Sequence, residues 1–351
     1  MKLSIIWVIV ATALLSCEPE PYGRNWFDED NLSISQYMEY HKKEYSKFYS
    51  LMSEGKMLNT LYGYNPHGDD YTLFLPTDEA IDHYIAQSET YDNFEELLQD
   101  TGFIKNLTRY HTLNGKIHTY EFPYGALTYE TLTGERLVAT YSSDGDNQII
   151  TMNNIAPIIK QNMGMTNGYI DLISEVLKPA EISGYDWLQQ QDDYSILAEA
   201  MELSGIGNRL SWSKYTILAE HDSIYQKMGI NTIDDLIDRI ATPGVALSDR
   251  NNTFYQFAAY HIFSGAYYLN DFYWGNYDYW TFSQKTIPID MGLDVYFNLG
   301  VDTYGYKLTP SGDTTYIDYI SPIWEGCNIM TTTGPVHSIS DVLYFKSFPK
   351  E

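Results

Sequence analysis

Tyr71-Thr72-Leu73-Phe74-Leu75-Pro76-Thr77-Asp78-Glu79-Ala80 begins as a short β-prone run and changes character at a proline. Thr77 is a good helix N-cap, and Asp78 and Glu79 follow where a helix dipole favours acids. The stretch therefore predicts a strand, a turn and the start of a helix. Tyr215-Thr216-Ile217-Leu218-Ala219 repeats its strand part later in the chain. Working outward, the repetition spreads. Upstream, Tyr45-Ser46-Lys47-Phe48-Tyr49-Ser50-Leu51-Met52 lies over Tyr194-Ser195-Ile196-Leu197-Ala198-Glu199-Ala200-Met201, and the match runs on to Asn59-Thr60-Leu61 over Asn208-Arg209-Leu210. Downstream, Tyr110-His111 lies over Tyr260-His261, and the block from Gly168 to Leu177 lies over Gly334 to Leu343. The offsets of these four matches are 149, 144, 150 and 166 in chain order, so length differences fall between blocks, where loops tolerate them.

Each block has a local physical reading. Phe48, Leu51 and Met52 stand at helical spacing, as do Leu197, Ala200 and Met201. Phe103, Ile104, Leu107, Tyr110 and His111 form one apolar stripe, with Phe254, Phe257, Ala258, His261 and Ile262 as its counterpart. Ile233, Leu236, Ile237 and Ile240 mark a further helix. Residues 127 to 160 read as strands, with Thr133-Gly134 and Asp144-Gly145-Asp146 placed as hairpin turns. Each half is thus helices, a β region and a closing strand: an α+β fold used twice, with a boundary between Pro179 and Gly184.

Three blocks resemble the fasciclin-like domain family. Residues 71–80 are similar to its "TVFAPTDEAF" block, Tyr110-His111-Thr112-Leu113-Asn114-Gly115 to its "YHVLPGK" block, and Asn167-Gly168-Tyr169-Ile170 through Leu177-Lys178-Pro179 to its "NGVIHVIDKVLLP" ending. The second copy departs from the pattern at Glu220-His221 and at Thr333, but keeps Gly334 and Val336-His337. The resemblance implies two fasciclin-like domains, 35–180 and 185–351, each a β-sandwich wedge with packed helices. It also implies adhesion or extracellular interaction rather than catalysis.

The chain start suggests an address. Lys2 precedes an uncharged, mostly apolar run from Leu3 to Leu15, too short for an ordinary span of about 20 residues. The run ends in Leu14-Leu15-Ser16-Cys17, which resembles the lipobox of bacterial lipoproteins. Residues 1–16 are then a signal peptide, Cys17 carries lipid, and 17–34 form a tether. Acidic Glu18, Glu20 and Asp28-Glu29-Asp30 resemble the surface-export signal of Bacteroidota lipoproteins. The expected location is the outer membrane, lipid-anchored, on the cell surface. With Cys17 lipidated, Cys327 has no cysteine left to pair with, and an inert buried thiol is expected.

Charge narrows the partners. Lys and Arg number 21 against 47 Asp and Glu, a net charge of −26, which repels phosphate backbones and sets nucleic acid aside. No HExxH, GxSxG or P-loop occurs. Asp144-Gly145-Asp146-Asn147 fails as an EF-hand because Ile155 stands where the loop needs an acid. No enzyme, catalytic residue, cofactor or metal site is expected. Tyr110, His111, Tyr260 and His261, the family's tyrosine–histidine motif, are expected to be structural, each histidine buried and bonded within its own half.

The segment 266–280, AYYLNDFYWGNYDYW, holds eight aromatic residues. It lies where the second copy is longer: 57 residues separate His111 from Gly168, against 73 between His261 and Gly334. It therefore reads as a loop insertion dispensable for folding. Three uses stay open for its rings: packing on their own domain, a protein interface, or glycan contact. Tyr267, Tyr268, Tyr273, Trp274, Tyr277 and Trp280 are the candidate contact residues. The expected function is a surface lipoprotein acting as a non-catalytic adhesion or interaction module, or as an accessory subunit of an outer-membrane nutrient-uptake complex with a transporter partner. A surface glycan-binding lipoprotein is the alternative.

Overall fold

Alternate residues of one strand feed two cores. In β1 (Tyr71–Pro76), Tyr71, Leu73 and Leu75 enter one apolar cluster and Phe74 enters another, as successive strand side chains must. Both faces are covered, so all six residues of β1 are buried. The structure is a computed structural model that describes residues 31–343 apart from 67, 146, 213, 273–274, 285, 292–297, 301–305, 309–314, 318 and 321.

In the first half, α1 (Ile34–Tyr40), α2 (Ser46–Glu54) and α3 (Met57–Thr60) precede β1, and α4 (Asp78–Ala86), α5 (Phe94–Gln99) and α6 (Thr101–Tyr110) follow it. Then come β2 (Thr112–Leu113), β3 (Gly125–Glu130), β4 (Arg136–Asp144), β5 (Asn147–Met152), β6 (Ala156–Met165) and the closing strand β7 (Gly168–Ile173). They form one sheet in the order β2-β1-β7-β6-β5-β4-β3, with β1 and β7 parallel and the other pairs antiparallel. The hairpin turns fall at Gly134 and Gly145, both at positive φ, as the sequence predicts. Asn162 interrupts β6 as a bulge with φ 55°, and bulges bend sheets. The sheet folds over on itself until Leu113 and Thr131 bridge its two ends. Leu127, Leu137, Ile150 and Ile173 fill the wedge around Phe74, and the helices pack outside β1 and β7 around Leu51, Leu73 and Ile104. The fold is α+β.

The folded body begins earlier than the expected tether boundary. Ser33 caps α1 in a capping box with Gln36, and Leu32 and Ile34 are buried in the first core. Residues 32–34 thus belong to the body, because apolar side chains flanking a cap have a core to enter.

The second half repeats this plan. It holds α7 (Gly184–Gln189), α8 (Ser195–Leu203), β8 (Tyr215–Glu220), α9 (Asp222–Gln226), α10 (Ile233–Ile240), α11 (Thr253–Tyr260), β9 (Ile262–Ser264), β10 (Gly275–Trp280) and β11 (Thr286–Met291). Short strands β12 (Asn298–Gly300), β13 (Tyr306–Leu308), β14 (Thr315–Ile317) and β15 (Tyr319–Ile320) lead to β16 (Val336–Ile339). β8 lies between β9, antiparallel, and β16, parallel, as β1 lies between β2 and β7. Core residues of the two halves part between Leu177 and Tyr185.

The polar joints repeat as well. The Asp78 carboxylate accepts from Ser46 N (3.2 Å), Lys47 N (2.9 Å) and Ser46 Oγ (2.6 Å), capping α2 from another helix. Asp222 does the same for α8 through Ser195 and Ile196. Asn167 accepts from Ile34 N (2.9 Å), and Thr333 accepts from Gly184 N (3.0 Å). The next residue must be glycine in both copies: a Cβ on Gly168 would lie 2.0 Å from Tyr71 O, and one on Gly334 would lie 2.1 Å from Tyr215 O. Of the departures from the family pattern, Thr333 keeps the job of Asn167 with a different atom, whereas His221 makes no side-chain cap where Thr77 accepts from Ala80 N.

Candidate functional site

His111 caps the C-terminus of α6 and is fully buried. Its Nδ1 lies 2.8 Å from Phe74 O, and its Nε2 lies 3.1 Å from both Leu177 N and Leu177 O. The pattern suits a neutral ring that donates at Nδ1 and accepts at Nε2. Burial pushes its pKa down to about 4. Tyr110 is buried beside it, its hydroxyl accepting from Asn153 Nδ2 at 2.9 Å.

His261 is equally buried but differently bonded. Nδ1 lies 2.8 Å from Phe257 O, and Nε2 lies 2.8 Å from Glu220 Oε1. Glu220 stands where the first half has Pro76. It also accepts from Leu343 N (2.7 Å) and from the Tyr225 hydroxyl (2.9 Å). Leu343 N is the counterpart of Leu177 N, so the carboxylate has moved between the histidine and the closing segment. Both partners of His261 are acceptors and all partners of Glu220 are donors, the pattern of a buried ion pair. Tyr260 is buried too.

The aromatic segment is not an insertion. The offset of 150 that relates Tyr110-His111 to Tyr260-His261 continues through it. It carries the 3₁₀ turn Thr119–Glu121 onto Leu269–Asp271, Phe122 onto Phe272, β3 onto β10, Thr131 onto Thr281 and the start of β4 onto β11. The extra length of the second copy therefore falls after Met291. The expectation that this segment is dispensable is corrected for the same reason. Phe272 and Tyr279 are buried, and with Phe263 and Tyr267 they form a ring cluster with centroids 5.1–6.0 Å apart. Trp280 is 67% exposed. Tyr273 and Trp274 lie outside the described residues, as does the Tyr277 side chain. Cys17 and the leader lie outside them too.

Tyr268 instead joins the halves. It packs on Ala126 and Val138, with Met330 beside them. Asn270 accepts from Ala126 N and donates to Ala126 O, both at 2.9 Å. The Arg136 guanidinium binds both Asp271 carboxylate oxygens at 3.0 Å and lies over the Tyr268 ring, 5.9 Å from its centroid. The Tyr124 hydroxyl donates to Trp324 O at 2.5 Å. Beside this joint is a cleft of about 450 Å³ lined by Glu130, Glu135, Arg136, Lys214 and Tyr268. A second of about 470 Å³ shares Tyr110, Glu135 and Pro179 with it and reaches the stacked pair Tyr84 and Phe103. The two clefts carry both charge signs, Glu130, Glu135 and Glu181 with Arg136, Lys178 and Lys214.

Sequence reading missed one further buried group. Asp171 stands where the family and the second copy have histidine, here His337. Asn162 N donates to Asp171 Oδ1 (2.6 Å), as Asn328 N does to His337 Nδ1 (3.1 Å). Asp171 Oδ2 has no partner among the described residues, and burial pushes the carboxyl pKa up to about 7. His337 also donates to Tyr267 O (2.8 Å), and burial lowers its pKa to about 4. Cys327 is buried, and burial pushes its thiol pKa up, away from a reactive thiolate. Among the described residues no group of three or more His, Cys, Asp or Glu could hold a metal ion, and no helix is long and apolar enough to cross a membrane.

Residues 43–179 match the fasciclin domain family. The transforming growth factor-beta-induced protein ig-h3 of Sus scrofa is 30% identical over 179 residues, covering 50% of this chain and 24% of that protein. Periostin of Homo sapiens is 33% identical over 109 residues, covering 31% of this chain and 12% of that protein. The chain spans about a quarter or less of the length of these relatives. The solved FAS1 domain pair of the insect cell adhesion molecule Fasciclin I is 15% identical with a TM-score of 0.38, over 86% of this chain and 97% of that one.

Proposed function

We propose that this protein is a lipid-anchored, cell-surface interaction protein made of two fasciclin-like units, acting in adhesion or as an accessory subunit of an outer-membrane uptake assembly, without catalysis. The observation that carries this reading is the fasciclin match over residues 43–179. The repeated strand pairings and caps support a second unit of the same kind. In both halves the motif histidines are buried in the interior, which leaves recognition to surfaces. The lipobox-like Leu14-Leu15-Ser16-Cys17 supports the anchor. Native purification from detergent-solubilised membranes tests the reading: a stoichiometric protein partner is the expected result. Retention on polysaccharide columns with no protein partner would favour the glycan reading, which now rests on exposed Trp280 and the cleft near Tyr84 and Phe103. Cys17→Ala should move the protein from the membrane to the soluble fraction.

A further inference from the structure

The corner that joins the halves has a counterpart that joins nothing within the described chain. In the second half the corner is Tyr268-Leu269-Asn270-Asp271, and in the first it is His118-Thr119-Tyr120-Glu121. The two are built alike. Each closes a capping box, Tyr268 N to Asp271 Oδ2 at 3.0 Å and His118 N to Glu121 Oε2 at 3.4 Å. Each hangs from a left-handed asparagine: Leu269 N donates to Asn328 Oδ1 (2.8 Å), and Thr119 N donates to Asn162 Oδ1 (2.9 Å). Their fates differ. The second corner seats a ring, an amide and an acid on the β3–β4 hairpin. The first leaves Tyr120 77% exposed, tilted against His118 at 4.2 Å between ring centroids, with His118 edge-on to Tyr169 at 5.6 Å.

We propose that the His118–Glu121 corner docks the edge β-hairpin of a separate protein, one that carries an arginine on the second strand of that hairpin. The internal joint supplies the template. His118 presents a ring where Tyr268 does, and Glu121 presents a carboxylate where Asp271 binds Nη1 of Arg136, whose Nε and Nη2 hold Leu127 O and Ala126 O of its own hairpin, a use of three nitrogens that suits arginine and not lysine. Tyr120 replaces the Asn270 amide with a large amphipathic ring of the kind enriched at binding hot spots. A second copy of this chain fits poorly. Its first hairpin is already covered by its own Asn270 and Asp271. Its second, β10–β11, has Asn276 in the place of Ala126 and Thr286 in the place of Arg136, so the cation is missing. The proposal rests on the interaction reading above and names the surface.

The test uses a cyclised, fluorescent hairpin peptide of residues 124–140, which carries Ala126, Arg136 and Val138, and the full chain with Cys17→Ala. Fluorescence anisotropy should show saturable binding. Glu121→Arg should weaken it at least tenfold, and Glu121→Gln, which keeps an acceptor for His118 N, should weaken it too while the thermal midpoint stays put. Peptide carrying Arg136→Glu should fail on the unaltered corner and recover on the Glu121→Arg chain. No saturable binding up to millimolar peptide would overturn the proposal, as would equal binding to the Glu121→Arg chain. Sedimentation equilibrium showing a dimer that Glu121→Arg dissolves would assign the corner to a second copy and overturn the occupant proposed. None of these outcomes depends on whether native purification yields a protein partner.

Discussion

The side-chain amide of Asn270 pairs in both directions with the backbone of Ala126, doing for the edge strand β3 what a neighbouring strand would do. Exposed edges invite pairing with other chains, and here the second half covers that of the first. The contact also requires glycine next door: a Cβ on Gly125 would lie 1.9 Å from Asn270 Oδ1, and its φ is +144°. Asn270→Ala should therefore weaken the joint by about 1–3 kcal/mol, the cost of leaving the buried Ala126 N–H unpaired, while Ala126 O keeps Arg136 Nη2 at 3.3 Å. Limited proteolysis should cut faster between residues 178 and 184. Unchanged cleavage, with a single unshifted melting transition, would show that the amide does not hold the halves.

Two neighbours in the aromatic segment should behave oppositely. Phe272 is 4% exposed within the ring cluster, so Phe272→Ala should cost about 3–5 kcal/mol. Trp280 is 67% exposed, so Trp280→Ser should stay within about 0.5 kcal/mol. Chemical denaturation of both variants checks this, and equal losses would mean that the burial pattern is wrong.

The helices, the hairpin turns and the repeat were legible because apolar spacing and turn residues are local signals. The aromatic segment was misread because ring density hid a gapless match: Gly115, Phe122, Gly125 and Thr131 recur at Gly265, Phe272, Gly275 and Thr281. Extending the tyrosine–histidine match without a gap would have found it. Other features had no local signal. Asp78 looks like a first-turn acid of its own helix, and only the fold brings it to α2. Asp171 and Glu220 are two acids among 47, and only burial separates them from the solvated rest.

Glu220 should be indispensable only while His261 is present. Glu220→Ala leaves an uncompensated buried ring and should cost about 3–5 kcal/mol. Replacing both members with apolar residues, Glu220→Leu with His261→Phe, should recover much of that loss, since buried pairs repay little more than their own desolvation. A double variant as unstable as the sum of the singles would show that the two do not act as a pair.

Asp171 should make the protein less stable as pH rises towards neutrality. Its carboxyl pKa is pushed up to about 7 by burial, against about 3.9 in an unfolded chain. Between these values the folded state holds a proton that the unfolded state has released. The contribution is therefore fully present below about pH 3.9 and is lost as pH climbs through about 7. At about 1.4 kcal/mol for each pH unit of separation, the whole swing is about 4 kcal/mol at most. His111 and His337 act in the opposite direction: their pKa values are lowered to about 4 from 6.5, so their neutral burial costs stability as pH falls through that window. Asp171→Asn keeps an acceptor for Asn162 N and removes only the titration. Relative to the parent, it should gain stability steadily from about pH 4 to about pH 7 and change little on either side, with the histidine-driven loss in acid left intact. Urea unfolding of both proteins at pH 4, 5.5, 7 and 8.5 measures this difference. Parallel stability profiles across the series would mean that Asp171 does not carry a raised pKa in the folded state.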